Sequence, residues 1–251
     1  MSLLKLILKA AAPLPDIEKN ERFLFIGPHP DDIEIGAGAT AAKLAAMGKS
    51  VCFLICLDGR YGSETIPPEE LVEIRKAEAI ASAKMLGVTD VRFLGLSDGG
   101  FYDNDALIRG IAQVIGDFKP DTVFAPDPCV TSECHADHLN VGNAARRVAY
   151  FAPYSGIMRE YSAQAAPVNA LCYYMTAKPN RYIKTGDHLK TQLSAIFDCH
   201  QSQFPGDSGN AIKLYLRLRS ATFGLRRLST AAEGFRTLGV THMHCLPEAG
   251  N

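Results

Sequence analysis

At 251 residues, 47% of them hydrophobic, the chain can bury a substantial core, and that size fits one large α/β domain better than two small ones. Lys and Arg number 26 against 27 Asp and Glu, a net charge of −1, which excludes a general field that would draw in nucleic acid or an anionic membrane. No apolar run reaches the ~20 residues that span a bilayer, so specificity has to come from a local site.

The first segment, MSLLKLILKAAAPLP, has a faint signal-like look, but Lys5 and Lys9 interrupt its apolar run; residues 1–20 read as a short amphipathic helix or a loose arm. Short β-branched or aromatic runs then alternate with Ala- and Leu-rich stretches. Strands are predicted at about 22–27, 50–57, 91–96, 121–126 and 170–176, with helices near 36–47, 68–86, 104–117 and 138–150. The alternation predicts a Rossmann-like α/β fold, a mostly parallel sheet flanked by helices, as a single domain over 1–251. Gly48 and Gly87 stand where left-handed helix caps are expected, and Pro67 and Pro68 suit the opening of the second helix. Residues 151–169 read as a loop that forms part of a pocket wall.

Residues 186–251 read as a helical and strand extension, with Asp187 as a helix N-cap. Residues 213–227 read as an amphipathic helix that packs on the domain or on another subunit. HMH at 242–244 reads as a strand with alternating surface histidines. Seven cysteines, at 52, 56, 129, 134, 172, 199 and 245, form no CxxC pair, which predicts reduced thiols and a cytoplasmic location.

In a doubly wound sheet, ligands bind beyond the carboxyl ends of the strands. Polar clusters fall at three such ends: HPDD (29–32), DGRYGSE (58–64) and DPCVTSECHADH (127–138). HPDD supplies His29, Asp31 and Asp32; HADH supplies His135, Asp137 and His138. Two histidines and a carboxylate suffice for a catalytic Zn²⁺ with one position open for water, and a further carboxylate is left over as a base. Such a metal lowers the pKa of its water from about 15.7 to about 7. Pro30 stiffens the turn by fixing its own φ and restricting His29. Alone, an Asp-Asp pair reads as a turn or N-cap and a single histidine as structural. Both clusters at strand-to-helix junctions outweigh that reading. GAGATA (36–41) formally matches a dinucleotide fingerprint, with Asp58 as the later acid. Eight residues separate Gly27 from Gly36, however, so Gly36 and Gly38 read as helix-packing positions.

PHPDDIEIGAGATAAKLAAMG closely resembles the amino-terminal signature of the PIG-L/LmbE-like zinc N-deacetylases, and HADHLNVGNAARRVA resembles their second metal motif. Residues 73–99, HQSQF (200–204) and AAEGFRTL (231–238) extend the likeness along most of the chain. The resemblance implies hydrolysis of an acetamide on an N-acetylglucosamine-type sugar or glycoconjugate. It implies His29, Asp32 and His138 as ligands of Zn²⁺ or another divalent ion, Asp31 as general base, His135 as oxyanion stabiliser or proton donor, and Asp137 as an orienting group. Arg75, Asp98 and His200 are implied to face substrate. The expected partner is a small N-acetylated molecule, with no nucleic acid and no membrane; a homo-oligomer is compatible with the family. Ile33 stands where the commonest motif has glutamate, and Glu133 and Cys134 occupy the stretch where some members carry a catalytic tyrosine. The alternatives are a zinc amidase for thiol conjugates or larger acyl groups, and a non-catalytic nucleotide-binding module.

Overall fold

A computed structural model describes residues 7, 10–244 and 246. Strands β1 (Arg22–Gly27), β2 (Ser50–Leu57), β3 (Asp90–Leu96), β4 (Thr122–Pro126) and β5 (Ala170–Tyr174) start and stop within two residues of their predicted positions. All five run parallel. Helices α1 (Asp32–Ala46), α2 (Pro68–Met85), α3 (Asn104–Phe118) and α4 (Ala136–Phe151) connect the strands. Side chains alternate across the pleat, so each strand serves two cores. Leu24, Ile26, Leu54 and Val123 meet Ile111, Ile115 and Val148 on one face. Phe23, Phe25, Phe53 and Phe124 meet Ile33, Ala37, Ala41 and Ala83 on the other.

The predicted stops hold, since Gly48 and Gly87 have φ of +75° and +82° and Pro68 opens α2. Two helix starts differ. α1 begins at Asp32 and α4 at Ala136, ahead of the predicted 36 and 138, because the first turn of each is polar and lacks the apolar period used to find helices. Gly36 and Gly38 are packing positions: a Cβ on Gly36 would overlap the Tyr174 ring, and one on Gly38 would lie 3.0 Å from Gln192 Cγ.

The expected loop at 151–169 contains a short helix, α5 (Ser155–Glu160). Beyond β5 come β6 (Arg181–Lys184), α6 (His188–Cys199), α7 (Asn210–Leu225) and β7 (Ala232–Gly239). Asp187 occupies the N-cap position of α6 but makes no side-chain capping bond. The sheet order is β3-β2-β1-β4-β5-β7-β6, with β7 antiparallel to both neighbours. β7 is buried throughout although it reads AEGFRTLG, and its polar side chains have partners. Glu233 accepts from the N–H groups of Ala39 (3.2 Å) and Thr40 (2.7 Å) in α1. Gln192 of α6 donates to Glu34 O (2.8 Å) and Glu233 Oε1 (2.9 Å). The C-terminal region therefore clasps α1 from outside. The HMH expectation is corrected: Thr241–Met243 is a 3-10 turn, and His242 is held by Ala12 O and the Gly239 N–H. Cys245 and residues 1–6, 8 and 9 of the expected N-terminal arm lie outside the described residues. The other six cysteines are free thiols. No described helix is long and apolar enough to cross a membrane.

Candidate active site

β1 lies between β2 and β4, and the chain leaves β1 toward β2 and β3 before returning to β4 on the other side. The carboxyl ends of β1 and β4 thus flank the crevice where strand order reverses, the place at which such sheets bind ligands. HPDD and HADH meet there.

At the first junction Asp31 has φ of 130°, a conformation that costs a non-glycine residue of order 1–3 kcal/mol and persists only where neighbours fix it. Arg75 does so. Its guanidinium donates to Pro30 O (2.9 Å), Gly59 O (3.1 Å) and Asp31 Oδ2 (3.3 Å). Burial pushes the Asp31 carboxyl up to about 7 against the pull of Arg75. Asp32, on the first turn of α1, accepts from the His29 backbone N–H (2.9 Å) and lies 3.1 Å from His29 Nδ1 and 3.4 Å from His138 Nε2. Burial opposes its charge, but the His138 and His29 imidazoles hold it well below the ordinary carboxylate range.

At the second junction His135 caps α4, its Nδ1 accepting the Asp137 N–H at 3.3 Å. That bond assigns the ring proton to Nε2. The His135 and His138 rings stack at 4.9 Å. Glu133 accepts from the His135 backbone N–H (2.8 Å) and from His138 Nδ1 (3.1 Å). Asp137 is buried, 3.0 Å from His29 Nε2, and accepts from Gly99 N (2.7 Å) and Gly100 N (2.9 Å). Against the cost of burial, the His29 and glycine bonds hold its carboxyl down at about 2. Burial disfavours charging His29, yet its bonds to Asp137 and Asp32 push it up to about 10. Asp32 likewise raises His138 against its burial.

The donors fit a divalent cation. His29, Asp32 and His138 each offer an atom within 4.8 Å of the others. The His29 nitrogen beyond Asp32 is held by Asp137, and that of His138 by Glu133, the carboxylate–histidine arrangement that orients metal-bound imidazoles. His29, His135 and Asp137 form a second group by the same measure. It is the poorer set, because the His135 Nδ1 is already accepting and Asp137 already takes two backbone donors.

Six of the nine residues singled out in the sequence, His29, Asp31, Asp32, His135, Asp137 and His138, therefore share one cluster, with Arg75 directly behind Asp31. Asp98 is buried at its edge and accepts the Tyr61 N–H at 3.3 Å. His200 is fully buried, with Nε2 3.5 Å from Glu34 Oε1, and is near enough to Asp31 to act on its charge. Asp58, the acid of the dinucleotide alternative, is tied to Arg60. Glu133 and the Gly99 and Gly100 N–H groups were missed as bracing groups; an acid two residues before His135 was the only signal for the first, and backbone donors leave none.

A two-histidine, one-carboxylate crevice on this sheet defines a metal-site hydrolase architecture, and a family profile described as PIG-L, GlcNAc-PI de-N-acetylase, matches residues 24–149. The chain belongs to the PIG-L family. It is 32% identical over 250 residues to a diacetylchitobiose deacetylase of Thermococcus kodakarensis, covering 98% of this chain and 92% of that one. An N,N'-diacetylchitobiose deacetylase structure from Pyrococcus horikoshii, complexed with its inhibitor MPG, superposes with a TM-score of 0.88 at 28% identity, covering 98% and 97% of the two chains. A 1D-myo-inositol 2-acetamido-2-deoxy-alpha-D-glucopyranoside deacetylase of Kineococcus radiotolerans is 37% identical over 127 residues, 47% of this chain and 35% of that one. PIG-L deacetylases are metal-dependent, and His29, Asp32 and His138 are where this chain gathers donors.

Proposed function

We propose that the protein removes the N-acetyl group from an N-acetylglucosamine-type sugar or glycoconjugate, giving a free amine and acetate, with Zn²⁺ held by His29, Asp32 and His138. The observation that carries this reading is the buried Asp31 carboxyl beside the His29, Asp32 and His138 donors in one crevice. A chitobiose-type sugar is favoured over an inositol-linked one, since the diacetylchitobiose deacetylase aligns along nearly the whole chain and the inositol-sugar deacetylase along about half.

Bound there, Zn²⁺ supplies Lewis acidity that polarises an acetamide carbonyl and acidifies a neighbouring water near neutral pH. Asp31 takes the proton from that water; burial poises its carboxyl near neutrality, where a group both accepts a proton and returns it. Arg75 keeps Asp31 in its strained conformation without occupying the open side of the crevice. His135, half-exposed and with its Nδ1 taken by the Asp137 N–H, has its Nε2–H left as donor to the oxyanion that water attack creates. The amine departs with the proton that Asp31 carries.

Acetate release from N,N'-diacetylchitobiose and from inositol-linked N-acetylglucosamine, with zinc-loaded protein, tests the reading. Release that is lost in Asp31→Asn while bound zinc is retained is expected. No release from any N-acetylated sugar would discard it.

A further inference from the structure

Tyr61 and Phe101 stand on the loops that follow β2 and β3, at the same end of the sheet as the histidine cluster. Their exposures are 55% and 74%, and their rings meet edge to face with centroids 5.9 Å apart. Both rings lie over Gly99: a Cβ there would be 3.3 Å from the Phe101 ring and 3.7 Å from that of Tyr61. Gly99 also has φ of +72°, so two constraints keep that position free of a side chain. The N–H groups of Gly99 and Gly100 hold the Asp137 carboxylate, which holds His29. Tyr61 is pinned from its other side, its backbone N–H donating to the buried Asp98. The aromatic pair is therefore fixed to the bracing of the site by short main-chain links, with its ring surface turned to water.

Resting on the deacetylase reading, we propose that Tyr61 and Phe101 form a stacking subsite for the second sugar ring, the pyranose joined to the N-acetylglucosamine unit being deacetylated. In a β-linked gluco-configured pyranose the ring substituents are equatorial, so axial C–H bonds point to both faces and each face is apolar while the edge is hydroxylated. Such a surface packs on the electron-rich face of an aromatic ring, and pre-fixed rings lose little entropy when they receive it. The platform is joined to the metal donors through Gly99, Gly100 and Asp137, so with one ring of a disaccharide at the chemistry the next is the ring placed to meet Phe101 and Tyr61. Ring contact is uniform binding, not contact with reacting atoms. It acts on KM and on the choice between substrates.

The test uses zinc-loaded full-length protein and acetate release from N-acetylglucosamine and from N,N'-diacetylchitobiose. In Phe101→Ala, the disaccharide KM should rise about tenfold, equivalent to about 1.4 kcal/mol, with kcat held, so that the disaccharide-to-monosaccharide ratio of kcat/KM falls by the same factor. Tyr61→Ala should move the ratio the same way, and Phe101→Trp should keep it. An unchanged ratio in Phe101→Ala overturns the subsite. Should the parent release acetate from neither sugar, the deacetylase reading fails by itself, and saturation-transfer NMR with N,N'-diacetylchitobiose decides the subsite. Transfer to ring C–H protons that is lost in Phe101→Ala supports it; transfer absent from the parent, or unchanged in the variant, overturns it.

Discussion

The two histidine-bearing junctions carry nearly the same residues and treat them differently. At the β1–α1 junction His29, Asp31 and Asp32 are 7%, 8% and 5% exposed, one residue is strained, and every polar atom named above faces protein. At the β4–α4 junction the His135 side chain is 49% exposed and that of Glu133 25%. The first wall stores charge where the dielectric is low and each pairing is strong; the second leaves the His135 ring open to solvent. Preorganisation and access are thus divided between adjacent strands.

Breaking the buried wall should have the largest effect. Asp32→Ala removes a donor and uncouples both histidines, so bound metal, read by atomic absorption after dialysis, and activity should be lost together. Next comes Asp31→Asn, which keeps the metal donors and removes the base; kcat should fall about 10²–10⁴-fold at unchanged zinc content. If zinc is lost as well, Asp31 belongs with the donors and the division of labour is wrong.

The exposed wall should respond more mildly. Glu133→Gln leaves His138 without its carboxylate, and zinc affinity should drop about 10–100-fold in a competition assay with a chelator. The pH series of that assay sharpens the same point. Ligation needs the facing nitrogens of His29 and His138 unprotonated, and the carboxylates raise both histidines, so protons compete and affinity should fall as pH falls. Glu133→Gln should narrow that dependence at His138. The smallest effect is expected behind the buried wall, where Gly36→Ala drives a methyl into the Tyr174 ring. That ring is anchored by its hydroxyl on Ile26 O at 2.7 Å, so the variant should lose about 1–3 kcal/mol of stability, visible as a lower Tm.

Much of this was legible in the sequence because it is written in period and residue type. The parallel strands are apolar runs, and the two clusters announce themselves by histidine beside aspartate at strand ends. Glu133 was not legible as a brace, since its role depends on the turn that folds its carboxylate back onto His138. Nor was β7 as a fully buried strand: the partners that let Glu233, Arg236 and Thr237 be buried, in α1, on Asp127 and on Cys172, are distant in sequence. The burial of His200 against Glu34 was likewise not legible from its residue type.

The clasp on α1 carries a consequence in time. All the proposed metal donors have been synthesised once His138 is made, yet Glu233, which ties down the middle of the helix bearing Asp32, is made only later. A ribosome partway through this message holds every donor but not the brace that steadies one of them. Metal capture in the growing chain is thereby set against the making of β7, the strand that supplies the brace.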